Sequence, residues 1–407
     1  MLAPVGYRVP MRALVSSAAL AVVGKNAEAD LMRALERYFG ASRAFGVSSG
    51  KAALTLVLLA LHHMTGRRKV IIPAYTCYSV PSAIVKAGLD VVPCDIGEEG
   101  FDYDYEQLRV MLGPDVLCVL SVHLFGIPSD TPRLKAACRD TGIFVVEDAA
   151  QAMGGSLDGR LLGTIGDAGF FSLGRGKNVT CGTGGIVLAR DPEIATAIDA
   201  VVVDVPGATR ADDAFAFLTL LALSALLSPP LYWLPSGLPF LRLGETIFHE
   251  DFPVRRLSSF QALLLRDWLG HLSTLDAIRR ENARYYRANI VGVSRGFDLA
   301  YLRFPVVLPD PGRRRRLMDE RDGAVLGIRP MYPASVGAIP QLRGRLSECD
   351  FPRSERVARS LVTLPTHPFV TAGDRARICE AVNSVLDQAP GIHEATGHPV
   401  AHMSGGL

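Results

Sequence analysis

The sequence is short of net charge, of patterned cysteines and of long apolar runs. Its 43 basic and 41 acidic side chains leave a formal net charge of +2, whereas a nucleic-acid-binding protein shows a strong basic excess. The seven cysteines are an odd number without a CxxC pair, which favours reduced thiols over a disulfide framework or a zinc site. No run reaches the ~18 to 20 apolar residues of a membrane-spanning helix. We therefore expect a cytoplasmic globular protein with no nucleic-acid partner and no metal site.

The length and composition of the chain indicate a large folded core. With 407 residues, of which 49% are hydrophobic and 21% charged, the chain can form one large domain and a smaller one. We predict an N-terminal arm over residues 1–27, a large domain over 28–255, a small domain over 256–390 and a loose tail over 391–407. The apolar stretch Ala13 to Val23 also has features of a signal peptide, which leaves secretion open as an alternative.

Short apolar strands alternate with amphipathic helices in the first half of the chain. The predicted strands Val70 to Ile72, Asp90 to Cys94, Val116 to His123 and Ile143 to Glu147 are separated by helices of about ten residues. This alternation predicts an α/β fold with a mostly parallel sheet that is covered by helices on both faces. Ligands of such sheets bind at the carboxyl ends of the strands, so functional side chains are expected there.

An apolar insert over residues 202–251 interrupts this pattern. It contains Ala214 to Leu227, a segment without a charge that is followed by two prolines. The segment is too short to span a membrane. We interpret it as a buried helix or as part of a dimer interface, and peripheral membrane contact through residues 214–240 is the alternative.

The C-terminal part of the chain predicts a smaller domain of helices and strands. Leu257 to Ala288 has the spacing of a long amphipathic helix with a kink near Gly270, and Leu302 to Leu308 has the composition of a strand. The run Arg313 to Arg316 opens another helix. We expect these arginines to be solvated rather than to bind an anion.

One lysine lies in surroundings that suit covalent catalysis. Lys177 follows the strand-like run Phe170 to Leu173 and precedes the glycine-rich turn Gly182 to Gly185. A lysine amid small and apolar residues loses solvation of its charged form, so its pKa falls and a nucleophilic amine becomes available. A Schiff base with pyridoxal 5′-phosphate (PLP) requires such an amine. Taken alone, the stretch is more typical of a solvated loop lysine, so other residues must support the interpretation.

Three further stretches support a PLP site. A buried strand would bring the Asp148 carboxylate to the carboxyl edge of the sheet, where it can hydrogen-bond the pyridine nitrogen of PLP. The turn Ser48-Ser49-Gly50-Lys51 lies between a strand and a helix, where backbone N–H groups favour a phosphate. Ser172 precedes Lys177 by five residues, close enough for its hydroxyl to reach the same phosphate. Each signal is weak alone, but together they follow one another in the order of a PLP site.

This order resembles the DegT/DnrJ/EryC1/StrS family of PLP-dependent sugar aminotransferases. The similarity runs from about residue 38 to 191 and from 256 to about 386. The motifs that carry it are Ser49-Gly50-Lys51-Ala52-Ala53-Leu54, Pro73-Ala74-Tyr75-Thr76, His123-Leu124-Phe125-Gly126, Glu147-Asp148-Ala149-Ala150-Gln151, Gly163-Thr164-Ile165-Gly166-Asp167-Ala168-Gly169, Ser172 with Lys177-Asn178, and Leu364-Pro365-Thr366-His367-Pro368. The resemblance implies the fold-type I (aspartate aminotransferase-like) architecture, with a mostly parallel seven-stranded sheet in the large domain and a smaller α+β C-terminal domain.

The resemblance also implies roles for individual residues. Lys177 would form the Schiff base and move the proton, and Asp148 would partner the pyridine nitrogen. The residues that would contact the cofactor are Gly50, Lys51, Cys77, Asp148, Gln151, Ser172 and Lys177. Gly50, Lys51 and Ser172 would hold the phosphate. The candidates for the substrate pocket are His123, Tyr332 and His367.

The sequence departs from the family pattern at four positions. Lys51 stands where the family often has threonine, and Cys77 stands where an aromatic ring usually stacks on PLP. Thr183 replaces the glutamate of a Gly-Glu-Gly-Gly turn. Val254 stands where an asparagine typically reaches the phosphate of the neighbouring subunit.

The predicted activity is PLP-dependent transfer of an amino group from an amino acid, glutamate first, to a keto sugar carried on a nucleotide. We expect a homodimer that takes part in polysaccharide or glycosylated-metabolite biosynthesis. One alternative is the same reaction on a non-sugar ketone or a cyclitol. Another is a membrane-associated family member without catalytic activity.

Overall fold

The computed structural model describes residues 2–3, 6, 9–24, 27–226, 246–293, 298–319, 323, 325–346 and 349–387. The predicted tail and residues 227–245 of the apolar insert therefore lie outside the described residues. The strands are β1 (Arg43–Val47), β2 (Lys69–Pro73), β3 (Asp90–Cys94), β4 (Val116–Val122), β5 (Phe144–Asp148), β6 (Ser156–Leu157), β7 (Arg160–Leu161), β8 (Ala168–Ser172), β9 (Gly185–Ala189), β10 (Arg303–Val307) and β11 (Leu361–Pro365). The helices are α1 (Met11–Val22), α2 (Glu28–Phe39), α3 (Gly50–Thr65), α4 (Ser79–Lys86), α5 (Tyr105–Met111), α6 (Thr131–Ala137), α7 (Pro192–Val202), α8 (Arg210–Leu226), α9 (Ser259–Leu264), α10 (Trp268–Asn289), α11 (Pro311–Asp319), α12 (Pro352–Ser360) and α13 (Ala372–Leu386).

Seven strands form one sheet in the order β1–β9–β8–β5–β4–β2–β3. Its neighbouring strands are parallel except where β9 pairs with β1 and with β8. Because β9 alone is reversed, the other six strands all end at the same edge. The prediction of an α/β fold with a mostly parallel seven-stranded sheet is confirmed.

Successive side chains of the sheet face two different helical layers, as the pleat requires. Val70 and Ile72 pack with residues of α3, α4 and α7, whereas Ile71 between them packs with residues of α5 and α6. Further along the sheet, Phe171 and Leu188 pack with α2 and α9. Both faces are therefore apolar, which explains why the strands appear in the sequence as continuous apolar runs.

A second, two-stranded antiparallel sheet joins β10 to β11. Phe304 of β10 and Leu364 of β11 pack in one cluster with Tyr286 of α10, Leu317 of α11 and Val382 of α13. This cluster forms the core of the smaller α+β part, as predicted. The boundary near residue 256 stays a prediction.

The long helix predicted from Leu257 to Ala288 is two helices, α9 and α10. A capping box of Ser258 and Gln261 starts α9. The chain then turns through three residues, and the Trp268 N–H bonds to the Leu265 carbonyl at 3.0 Å. This turn lets Trp268 join the same core as α9, so burial of the indole overrides the continuous helical spacing.

The arginine run that opens α11 is not uniformly solvated, and this prediction was wrong for two of its four members. Arg313 is buried and donates to the Val385 and Leu386 carbonyls at the end of α13, at 3.0 and 2.7 Å. Arg314 donates to the Ala358 carbonyl near the end of α12. Both guanidinium groups satisfy carbonyls that a helix C-terminus leaves unpaired and complement its dipole.

Within the described residues of the apolar insert, 202–226 and 246–251, the helix α8 is not fully buried. Phe215 is 74% exposed and Leu218 is 60% exposed on its outer face. The neighbouring helix α1 likewise exposes Met11 and Val15. None of the described helices combines the length and apolar character needed to cross a membrane.

Candidate active site

Most of the predicted site residues lie at the edge where the parallel strands end. Val47, the last residue of β1, pairs with Gly185 of β9, and Gly185 pairs in turn with Ser172, the last residue of β8. Asp148 ends the next strand, β5, and pairs with Phe170. The turns that follow β1, β5 and β8 therefore lie side by side.

Two glycines allow the chain segments at this edge to pack closely. Gly50 begins α3, and Ser49 caps this helix by accepting a hydrogen bond from the Ala52 N–H at 3.1 Å. A Cβ atom on Gly50 would lie 2.9 Å from Ser172 Cβ, and one on Gly185 would lie 2.3 Å from the Ser49 carbonyl oxygen. Both positions require glycine. The helix start offers backbone N–H groups and the positive end of a dipole, which favour an anion.

Lys177 and Asp148 interact electrostatically at this edge. Lys177 is half-buried, and burial lowers its pKa; Cys77 and Asp148 oppose this shift, and Arg279 adds to it. Burial raises the pKa of Asp148, although a 3.0 Å hydrogen bond from the Ala150 N–H and the charge of Lys177 offset part of the effect. The surroundings of Lys177 thus favour its neutral, nucleophilic amine.

Cys77 and Lys51 lie on the same side of the site. Cys77, in the turn after β2, is half-buried and influences the pKa of both Lys51 and Lys177. Burial lowers the pKa of Lys51, and Cys77 opposes that shift. The Lys51 ammonium lies 4.4 Å from the centre of the Phe252 ring, a cation–π distance. The residue that directly follows the insert, Phe252, therefore reaches the first turn of α3.

Gln151 connects the site to the C-terminal half of the chain. Its Nε2 donates to the Tyr332 hydroxyl at 3.0 Å, and its Oε1 accepts from the Phe125 N–H at 3.1 Å. The Tyr332 N–H donates to the Tyr75 hydroxyl at 3.4 Å. Burial raises the pKa of Tyr332, and Cys77 raises it further. The structure thus brings Tyr332 to the residues predicted to contact the cofactor.

His123 is held by a buried carboxylate. Its Nδ1 accepts from the Ser129 N–H at 3.1 Å, so the ring proton is on Nε2, which donates to Glu147 Oε2 at 2.9 Å. Glu147 also accepts from the N–H groups of Gly163 and Gly166 at 2.9 and 2.6 Å. Burial raises the pKa of Glu147, but the hydrogen bonds outweigh this effect and the pKa is lowered. Both nitrogens of His123 are therefore occupied, and only its ring face remains for a ligand.

His367 lies outside this group of residues. Its Nε2 donates to the Ala3 carbonyl at 2.7 Å, and its Nδ1 accepts from the Phe369 N–H at 3.2 Å. Burial lowers the pKa of His367 to about 4. The imidazole therefore fastens the N-terminal segment to the end of β11, and both of its nitrogens are occupied by backbone groups there.

Three buried polar residues near the site were not named as cofactor-binding candidates from the sequence. Glu147 anchors the loop before β8, as described above. Arg279 on α10 donates to the Lys177 carbonyl at 3.1 Å, and Thr76 Oγ1 has no hydrogen-bond partner among the described residues. A second acid beside Asp148 was a signal for Glu147. An arginine within an amphipathic helix carries no such signal, because it is more typical of a solvated face.

The sequence and the fold match known aminotransferases over most of their length. The model of the DegT/DnrJ/EryC1/StrS aminotransferase family matches residues 10–229 and 239–383. The UDP-N-acetyl-3-dehydro-alpha-D-glucosamine 3-aminotransferase of Acidithiobacillus ferrooxidans is 24% identical over 85% of each chain. The L-glutamine:2-deoxy-scyllo-inosose aminotransferase of Streptomyces kanamyceticus is 29% identical over 89% of this chain and 86% of its own. The crystal structure of the sugar aminotransferase CalS13 from Micromonospora echinospora covers 94% of this chain and 100% of its own, with a TM-score of 0.74 and 21% identity.

The fold and the family match together define a PLP-dependent aminotransferase. The chain belongs to the DegT/DnrJ/EryC1/StrS aminotransferase family. The residues at the sheet edge fit the cofactor: a strand-to-helix turn at Gly50 with backbone N–H groups for a phosphate, a buried carboxylate and a half-buried amine. Within the described ranges, no group of three or more His, Cys, Asp or Glu side chains could hold a metal ion.

Proposed function

We propose that this enzyme transfers an amino group from an amino acid, glutamate first, to a keto sugar carried on a nucleoside diphosphate. The observation that carries the proposal is the convergence of Lys177, Asp148 and the Gly50 turn on one edge of the sheet. The relative from Acidithiobacillus, named for a UDP-sugar, supports the class of acceptor. The product would enter polysaccharide or glycosylated-metabolite biosynthesis.

The chemical roles follow from the electrostatics of the site. When bound, PLP supplies an electrophilic carbon and a ring that withdraws electrons from the substrate. Lys177 provides the nucleophilic amine, and the same amine moves a proton at the substrate carbon, because burial lowers its pKa and so favours the neutral form. Asp148, whose carboxylate accepts a hydrogen bond from the Ala150 N–H, would hold the pyridine nitrogen of the cofactor.

The remaining residues of the site bind and orient. Lys51, Ser172 and the first turn of α3 hold the phosphate, because they offer a positive charge, a hydroxyl and free N–H groups. Gln151 is fixed between the Phe125 N–H and the Tyr332 hydroxyl, so its amide can contact the 3-hydroxyl side of the cofactor. Cys77 lies toward the ring face.

We propose a different role for each of the three predicted substrate residues. Tyr332 stays a candidate for the pocket because it is bonded to Gln151. His123 also stays a candidate for the pocket, but only through its ring face. His367 is proposed to serve the N-terminal contact instead, since both of its nitrogens bond backbone groups there.

The proposed activity is tested by a screen of nucleotide-linked keto sugars with glutamate, in which formation of the sugar amine is measured. Lys177→Ala should abolish the product and also the covalent label that borohydride reduction leaves on the chain after incubation with PLP. Lys69→Ala, an exposed lysine at the opposite end of β2, is the matched control and should retain both. A chain that labels at Lys177 but aminates none of the sugars would contradict the proposed acceptor and leave the cofactor site intact.

A second acceptor class is favoured by one observation. The relative from Streptomyces kanamyceticus is named for 2-deoxy-scyllo-inosose, a cyclitol ketone, and has 29% identity over nearly the whole chain. The same screen should therefore include cyclitol ketones. Faster turnover of these than of any nucleotide-linked sugar would replace the first proposal by the second.

The exposed apolar face of α1 and α8 supports the proposed homodimer. Met11, Val15, Phe215 and Leu218 form an apolar surface that a second copy of the chain would cover. The first turn of α8 holds Asp212 and Asp213, which would be repelled by an anionic lipid surface, so we favour the second copy over the membrane. Phe215→Asp should lower the sedimentation mass of the wild-type dimer to that of a monomer. Flotation of the wild type with anionic vesicles, lost in Phe215→Asp, would favour the membrane.

The proposed location is the cytoplasm. All seven cysteines are free, and five of them are buried, which is typical of proteins kept in a reducing compartment. We also keep the proposed division of the chain into a large domain that ends at residue 255 and a small domain that begins at 256. Limited proteolysis near this boundary would test it.

A further inference from the structure

Arg279 is buried directly behind the lysine proposed to bind PLP. It lies on α10, is 2% exposed, and its Nη2 donates to the carbonyl oxygens of Lys177 and Gly176 at 3.1 and 3.4 Å. The Lys177 N–H closes the same turn by bonding to the Gly174 carbonyl at 3.2 Å. Gly176 has a φ of +75°, a conformation that glycine adopts without strain. The turn that carries Lys177 is thus fixed by one internal hydrogen bond and by the guanidinium group.

The hydrogen bonds of Arg279 are incomplete. Its Nε and Nη1 have no partner among the described residues, and the same holds for Asp276 Oδ1 and Asn178 Oδ1 nearby. Burial lowers the pKa of Arg279 to about 10 and raises that of Asp276, one turn earlier on the helix, to about 6. A buried arginine with unsatisfied donors destabilises a fold relative to an apolar residue. Folding alone therefore does not account for an arginine at this position.

We propose that Arg279 is a positioning residue for Lys177: it fixes the turn that carries the lysine and places a permanent positive charge behind the amine. The inference rests on the proposed role of Lys177. The groups that face Lys177 are Cys77 after β2, Asp148 at the end of β5 and Arg279 on α10. Cys77 and Asp148 favour the ammonium form of Lys177, whereas Arg279 disfavours it. Arg279 thus counteracts the two groups that would otherwise make the amine less nucleophilic.

The test compares capture of PLP by Lys177 across pH in the wild type, Arg279→Met and Arg279→Lys. The amine adds to the aldehyde with loss of water, borohydride supplies the hydride that reduces the C=N bond, and peptide mass spectrometry quantifies the label on Lys177. Only the neutral amine adds, so loss of the positive charge in Arg279→Met should raise the pH of half-maximal labelling by about one unit. At a pH below that midpoint, labelling should be about tenfold lower. Arg279→Lys keeps the charge but cannot donate to both carbonyls in the same way. It should keep the wild-type midpoint and capture PLP several-fold more slowly.

A matched control and the fold of each variant make the result decisive. Arg284→Met removes a 62% exposed arginine from the same helix and should label like the wild type, and circular dichroism checks that each variant folds. A folded Arg279→Met with the wild-type midpoint and rate overturns the proposal. If Arg279→Met does not fold, a wild-type capture rate in Arg279→Lys overturns it. Absence of Lys177 labelling in the wild type would instead refute the PLP role of Lys177, so the two failures are distinguishable.

Discussion

The buried imidazole of His367 should make the stability of this protein depend on pH. The neutral ring is matched to its surroundings: Nε2 donates to the Ala3 carbonyl and Nδ1 accepts from the Phe369 N–H. A proton on Nδ1 would point at that N–H and break the second bond. Burial, with Arg303 and Arg279 nearby, lowers the pKa of His367 from 6.5 to about 4, although the bond to Ala3 opposes the shift.

The sign and size of the effect follow from where the proton binds. Between about pH 4 and pH 6.5 the unfolded chain binds a proton at this residue and the folded chain does not, so stability falls as the pH falls. Above pH 6.5 the contribution of the neutral ring is complete. The difference between a pKa of 6.5 and one of about 4 corresponds to about 3 kcal/mol in total. Between pH 7 and pH 5 the loss is about 2 kcal/mol.

The assay is urea unfolding of the cofactor-free chain at pH 7 and pH 5. His367→Gln stays neutral at both, so the wild type should lose about 2 kcal/mol more than this variant on acidification. The comparison cancels whatever the substitution costs at pH 7. His63→Gln, an exposed histidine on α3, is the control and should behave like the wild type. Equal losses in the wild type and in His367→Gln would refute the reasoning.

Two substitutions test the architecture of the site itself. Gly50→Ala should weaken PLP binding at least tenfold, measured by titration, because its Cβ would lie 2.9 Å from Ser172 Cβ. The control Gly207→Ala, whose Cβ would meet nothing within 4 Å, should bind PLP like the wild type. Equal PLP affinities of Gly50→Ala and the wild type would contradict the requirement for glycine at position 50. Glu147→Gln should lower the free energy of unfolding by about 2 kcal/mol, because the buried carboxylate is lost and with it the charge-assisted hydrogen bonds. Glu106 is exposed, so Glu106→Gln should change the free energy of unfolding little. An unchanged urea midpoint in Glu147→Gln would show that the loop before β8 does not depend on this acid.

The local patterns of the sequence predicted the sheet well but not how the chain continues beyond it. Apolar runs such as Val116 to Val122 indicate strands inside a covered sheet, because a strand buried on both faces must be apolar throughout. The reversal of β9 has no such signature, since an apolar strand of five residues has the same composition in either direction. The break between α9 and α10 was misplaced for a related reason. A kink was predicted near Gly270, whereas the chain leaves the helix at residues 265–267, because helical spacing continues through this point and only the tertiary position of Trp268 interrupts the helix.

The candidate site could be predicted where it is made of residues at strand ends, and not where it depends on partners distant in sequence. Gly50, Asp148, Ser172 and Lys177 became candidates because each lies at or after the end of a predicted strand. The bond between Gln151 and Tyr332 joins residues 181 positions apart. Such a pair exists only because two parts of the fold pack together, so no local sequence pattern predicts it.

Hydrogen-bond satisfaction separates the polar residues that the sequence grouped together. His123 and His367 were both candidates for the substrate pocket, yet in each the two ring nitrogens form hydrogen bonds to partners inside the protein. The Lys177 amine has no hydrogen bond or ion pair among the described residues, and only through-space charges act on it. A satisfied buried group gives up those bonds if it moves toward a substrate, and this costs about 1 to 3 kcal/mol for each group left unpaired. An unsatisfied amine has no such cost, so the physical argument for catalysis is strongest at Lys177 and weakest at His367.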